Sequence, residues 1–153
     1  MFDIDEIMTM LDWNNSEEVQ NKGIELAGEI KSINVFLQPL HPGFNKNVWD
    51  NCAKILASKE DEILLPYTGQ LLEWLQDLNW PGALIILDRL KSFAASDLFI
   101  FSVRECVKTA VACNEQIWLD YLSELLDNES LKAKLSEEIL AVLKTHYQNW
   151  GNY

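Results

Sequence analysis

The sequence predicts an all-helical fold, built of antiparallel helix pairs stacked as a short α-solenoid or as an irregular bundle. Three observations predict it. Apolar residues return every three or four positions from end to end, alternating Val- and Thr-rich runs of strand type are missing, and Ser or Asn caps recur at intervals. A helix content of at least about 60% follows from that uninterrupted period.

The first helix is predicted over Asp3 to Leu11, with Ile4, Ile7, Met8 and Leu11 on one side. Ser16 reads as the N-cap of a second, which carries Glu17 and Glu18 in its first turn, where the helix dipole favours negative charge, and runs to Ile30. Ile33 to Gln38 forms a short helix that must close before Pro39, and His41-Pro42-Gly43 reads as the loop beyond it. Asn45 caps a helix whose Val48, Trp49, Cys52, Ile55 and Leu56 make an apolar stripe. Leu65 to Gln76 forms the next, with Pro66 tolerated in its first turn.

Trp80-Pro81 resets the chain at a tight helix junction, and Ala83 to Leu90 is apolar enough for a central, mostly buried helix. Ser96 and Asp97 open a long helix through Cys113, and Asn114 with Glu115 opens another through Asp127. A helical turn over Glu129 to Lys134 leads to Ser136, which caps a final helix to Asn149, and Gly151 stops it. Trp13, Trp49, Trp80 and Trp118 stand at junctions 36, 31 and 38 residues apart, spacings too irregular for a strict repeat motif.

A chain of 153 residues with 48% hydrophobic and 24% charged residues has ordinary globular composition and fits one domain spanning residues 1–153. No apolar run approaches the roughly 20 residues of a membrane span, and the acidic start is unlike a basic signal peptide, so the cytosol is the expected location. The formal charge of −12, 24 acids against 12 bases, would repel nucleic acid phosphates and anionic lipid heads. The acids come in blocks without Lys or Arg: six over residues 1–21, six over 60–88 and five over 115–131. Such blocks are either a solvated face or a docking surface for a basic protein.

Catalytic and metal constellations are weak. His41 and His146 lie far apart, no Cys-x-x-Cys or His-x-x-x-His pair occurs, and no Gly-rich phosphate loop is present, so neither a metal nor a cofactor is expected. Cys52, Cys106 and Cys113 read as reduced core thiols. The sharpest surface feature is Asp120, Glu124 and Asp127, spaced i, i+4, i+7 opposite Ile117, Tyr121, Leu122 and Leu125, which projects as an exposed acidic stripe. Glu73 and Asp77 project as a second pair, across from Leu71, Leu75 and Leu78. Trp49, Trp74 and Trp118 sit on apolar stripes and read as core, whereas Trp13 and Trp80 can be either structural plugs or partner contacts. Trp150, with Tyr147 and Tyr153, reads as a lid over the last helix.

The segment Leu71-Leu72-Glu73-Trp74-Leu75-Gln76-Asp77-Leu78-Asn79-Trp80-Pro81 resembles the signature of an uncharacterised bacterial family of helices in a HEAT-like arrangement, with the close match over residues 64–90. That resemblance implies a HEAT-like helical fold and no activity. In style rather than in residues, the chain is also similar to bacterial immunity proteins that neutralise a toxin. The expected function is thus a non-enzymatic protein-binding module, in its most specific form an inhibitor of a basic toxin domain, with Asp120, Glu124, Asp127, Glu73, Asp77, Trp13 and Trp80 as binding residues. An adaptor or scaffold is the near rival, and a carboxylate-dependent hydrolase belongs to a different class.

Overall fold

Asp3 opens the first helix, α1 (Ile4–Met10), with a capping box: its carboxylate accepts the Glu6 N–H at 2.8 Å, and Glu6 Oε2 accepts the Asp3 N–H at 3.2 Å. The computed structural model describes residues 3–39 and 45–147. The loop read at His41-Pro42-Gly43, the stop at Gly151 and the lid residues Trp150 and Tyr153 lie outside the described residues. Of the described chain, 73% is helical and none is strand.

Ser16 caps α2 (Glu17–Ala27), which ends before Ile30 in tight three-residue turns. The Ile33–Gln38 segment contributes one 3₁₀ turn, Asn34–Phe36. Asn45 accepts the Asn47 N–H at 2.8 Å and starts a 3₁₀ turn that runs into α3 (Trp49–Ala57). Buried Asn51 on α3 donates to the Leu11 carbonyl at 2.7 Å and to Gln20 Oε1 at 2.9 Å, which holds the first two helices to the third.

The single helix predicted over Leu65–Gln76 is broken. A short α4 (Asp61–Leu64) precedes a 3₁₀ turn, Leu65–Tyr67, then α5 (Thr68–Glu73), then a second 3₁₀ turn, Trp74–Gln76. Pro66, which has no N–H to donate, sits in the first tight turn. The chain then turns at Trp80-Pro81-Gly82 into α6 (Ala83–Lys91). Gly82 has φ +83°, and a Cβ there would stand 2.6 Å from Ala53 Cβ and 2.9 Å from the Trp49 carbonyl oxygen, so only glycine fits. Trp74 Nε1 donates to the Pro81 carbonyl at 3.0 Å and locks the same turn.

Ser96 caps α7 (Asp97–Ala112). Asn114 does not cap the following helix as expected. It closes α7 at φ +57°, with its own N–H on the Val111 carbonyl and the Glu115 N–H on the Ala110 carbonyl at 2.8 Å, a Schellman ending with Asn in place of Gly. Next come α8 (Gln116–Leu122), a 3₁₀ stretch over Ser123–Asp127, α9 (Glu129–Lys134) capped by Asn128, and α10 (Glu137–His146) capped by Ser136.

These helices pack as a bundle: α3 lies against α2 and α6, α5 against α7, and α8 and α10 against α7 and each other. One core runs through them, with Phe36, Trp74, Phe93 and Phe99 its largest enclosed side chains. Trp49 and Trp118 are buried as expected, while Trp80 is only half-buried, its ring edge-on to Trp49 at 5.7 Å. The three thiols are not all core: Cys52 is buried, Cys106 half-buried and Cys113, at the end of α7, exposed.

Candidate binding groove

Two polar contacts hold α5, α7 and α8 together around a groove. Thr68 and Ser102 hydroxyls meet at 2.7 Å between α5 and α7, and Trp118 Nε1 donates to the Leu72 carbonyl at 3.1 Å, bringing α8 onto α5. The cavity between them has a volume of about 270 Å³ and is lined by Gly69, Glu73, Phe101, Ser102, Glu105, Cys106, Thr109 and Trp118. Gly69 and Glu73 are one turn apart on α5, so they share a face, and α7 supplies the opposite wall. Phe101 is 48% exposed and Ile117 on α8 is 52% exposed, so apolar surface stands open in this part of the molecule.

The electrostatics of the groove are one-sided. Two carboxylates and no Lys, Arg or His line it. Glu105 has a cation of its own, Arg104 Nε at 3.5 Å, whose guanidinium also lies 5.0 Å over the Phe101 ring. Glu73 has neither an ion pair nor a hydrogen bond among the described residues, and burial pushes its carboxyl above the ordinary value. Burial, with the negative charges of Glu73 and Glu105, pushes the Cys106 thiol up to about 12. At neutral pH Cys106 is therefore a protonated thiol and a poor nucleophile. Among the described residues no cluster of three His, Cys, Asp or Glu side chains is placed to hold a metal.

The acidic residues projected as one stripe do not form it. Asp120 is only 5% exposed and Glu124 8%, whereas Asp127 is exposed. Two physical reasons account for this. The α-helix ends at Leu122 and the chain continues as 3₁₀ helix, advancing about 120° per residue instead of about 100°, which turns Glu124 and Asp127 out of line with Asp120. Moreover α10 packs over α8 and the 3₁₀ stretch, where His146 Nδ1 meets Asp120 Oδ1 at 2.6 Å and Tyr147 donates to Asp127. Lys91 pairs with Asp127 at 3.1 Å. Ile117, projected inward, faces solvent.

Glu73 and Asp77 are both half-buried but serve differently. Asp77 turns inward on its own loop, Oδ1 accepting the Asn79 N–H at 2.8 Å, while Glu73 lines the groove. Trp13 is 47% exposed between α1 and α2, away from the groove, and Trp80 belongs to the Trp49–Trp74–Trp80 cluster under the Gly82 turn. Of the seven residues singled out by sequence, Glu73 alone lines this groove. Phe101, Glu105 and Thr109 went unmarked; their spacing of four on one side of α7 was the available signal, in a helix read only for its length and its caps.

Residues 45–150 match the family model described as a domain of unknown function (DUF5071). The chain belongs to that family. The whole groove and the Leu71–Pro81 segment fall inside the matched residues, whereas α1, α2 and Trp13 precede them. No curated protein and no solved structure matches the chain. Within the family's span, the Leu71–Pro81 segment acts as a structural lock: Leu71, Leu72, Trp74, Leu75 and Leu78 are buried, and Trp74 fixes Pro81. Glu73 is the residue of that segment that the lock delivers to the groove.

Proposed function

We propose that the chain is a non-enzymatic protein-binding module, and that the groove between α5 and α7 receives a basic partner protein. The observation that carries this reading is Glu73, a half-buried carboxylate without a cation of its own, set in a groove with an exposed aromatic rim. Holding such a group away from water is unfavourable, and an incoming positive charge relieves that cost. The net charge of −12 would draw a basic surface toward the chain from a distance. In its specific form the partner is a basic toxin domain and the chain its immunity-like inhibitor; a HEAT-like scaffold holding a basic cellular protein uses the same contacts.

Site-specific photo-crosslinking tests the reading. A photoreactive side chain at Thr109, which is exposed in the groove, is expected to capture a basic protein in the cells that make this chain, whereas the same group at exposed Glu25 on α2 captures none of it. Equal capture at both positions, or an acidic protein at Thr109, contradicts the proposal.

A further inference from the structure

Resting on that binding reading, we infer that the groove is a recognition site for a single arginine side chain of the partner, with Glu73 as the counter-ion of its guanidinium. Size admits such an occupant. The groove, about 270 Å³ and open to solvent, lies at the small end of the roughly 300–1,000 Å³ of small-molecule sites and has room for one extended side chain.

The lining chooses the chemistry. Phe101 and Trp118 give ring surface for an alkyl stem or a planar cation. The carboxylates of Glu73 and Glu105 are acceptors, and a guanidinium carries five donors in a planar fork. The chain already shows how this rim treats such a group: Arg104 lies over Phe101 at 5.0 Å and beside Glu105 at 3.5 Å. Glu73, on the facing helix, has no corresponding cation among the described residues. A guanidinium is also more weakly hydrated than an ammonium and loses less on entering a half-enclosed site, which favours arginine over lysine.

Gly69 is an independent sign that the groove is kept open. It lies within α5, its backbone is helical with no positive φ, and a Cβ placed on it meets nothing within 4 Å. Glycine in a helix costs stability relative to alanine, and here neither packing nor backbone geometry requires it. The missing side chain leaves space directly beside the turn that carries Glu73.

Titration of the full chain with Nα-acetyl-arginine amide, followed on the indole N–H resonance of Trp118, tests the assignment. Nα-acetyl-citrulline amide, of similar shape but uncharged, is the control. Saturable binding of the arginine compound is expected, with the citrulline compound at least about tenfold weaker. Glu73→Gln is expected to lower affinity for the arginine compound by about tenfold, the equivalent of about 1.4 kcal/mol. Gly69→Leu is expected to abolish binding while keeping the native far-ultraviolet circular dichroism. Equal binding of the two compounds, or native affinity in Glu73→Gln or in folded Gly69→Leu, overturns the assignment. If a basic protein still crosslinks at Thr109 while arginine shows no preference, the arginine site falls and the binding module stands; if both fail, both fall.

Discussion

His146 Nδ1 lies 2.6 Å from Asp120 Oδ1, tying the last turn of α10 to the middle of α8. Beside it, Asp127 accepts from Tyr147 and pairs with Lys91, so the acids that project as a docking stripe instead fasten the C-terminal helix. Replacing His146 by Ala leaves the Asp120 carboxylate buried without that partner and is expected to cost about 1.5–3 kcal/mol, the range for hydrogen bonds to charged groups. Urea unfolding at neutral pH measures it, and a loss below about 0.5 kcal/mol would show that the contact contributes little. Changing Asp120, Glu124 and Asp127 together to amides is expected to lower stability in the same assay, because Asp120 then meets His146 without its charge and Asp127 loses its ion pair with Lys91.

Of the glycines among the described residues, Gly82 leaves the least room for a side chain. Gly82→Ala places a Cβ 2.6 Å from Ala53 Cβ at a φ of +83°, combining left-handed backbone strain with overpacking. Each effect is of order 1–2 kcal/mol, so a loss of at least about 2 kcal/mol is expected. Thermal unfolding checks it; an unchanged midpoint means the turn can shift freely.

The helical fold was legible because its signals are local. Caps at Asn45, Ser16, Ser96 and Ser136 and the turn of helix at Glu129–Lys134 are short-range chemistry, and each is found where the sequence puts it. What failed depended on helix phase or tertiary cover. Projecting Asp120, Glu124 and Asp127 on one ideal helix missed the change to 3₁₀ geometry at Ser123 and the docking of α10. Asn114 carries cap-type chemistry, but its tolerance of positive φ made it a C-terminal stop. The groove was legible only at Glu73, because its other wall comes from α7, about thirty residues later, and sequence spacing carries no record of which helices become neighbours.

Two carboxyls set opposite trends of stability with pH. For Asp61, burial alone would raise the pKa, but the Ala94 N–H and the hydrogen bond and charge of Arg89 together outweigh it and hold the carboxyl below its ordinary 3.8. Its stabilising contribution is present above 3.8 and is lost as pH falls through the lower folded value. Arg89→Ala is therefore expected to cost stability at pH 7 and progressively less below pH 4. A cost unchanged at acid pH would mean that Arg89 acts through its contacts with Phe93 and the Lys59 carbonyl instead.

Glu73 behaves in the reverse sense. Its folded pKa is raised by burial, and Glu105 and Cys106 are the titratable groups facing it from α7. The stability penalty is absent below the ordinary value of 4.5 and grows as pH rises through the folded value. Glu73→Gln is expected to stabilise the chain at pH 7 and to give no gain near pH 3. Equal unfolding midpoints for the two proteins at pH 7 would show that Glu73 is not penalised by its surroundings.

Association with a basic partner is expected to be steered by the net charge of −12. Raising salt to physiological strength shortens the Debye length to about 8 Å, so the association rate should fall more than the dissociation rate rises. Stopped-flow mixing with the crosslinked partner reads both rates. An association rate indifferent to salt would make the acidic surface a solvated face only.

The affinity of that partner for Gly69→Leu, compared with the unaltered chain by titration calorimetry, tests the groove most directly. A Cβ at Gly69 meets nothing within 4 Å, so the fold should be retained while the leucine side chain blocks the groove. A loss of tenfold or more in affinity, with native unfolding behaviour, is the predicted result. Native affinity in the folded variant would contradict it and place the partner elsewhere on the chain.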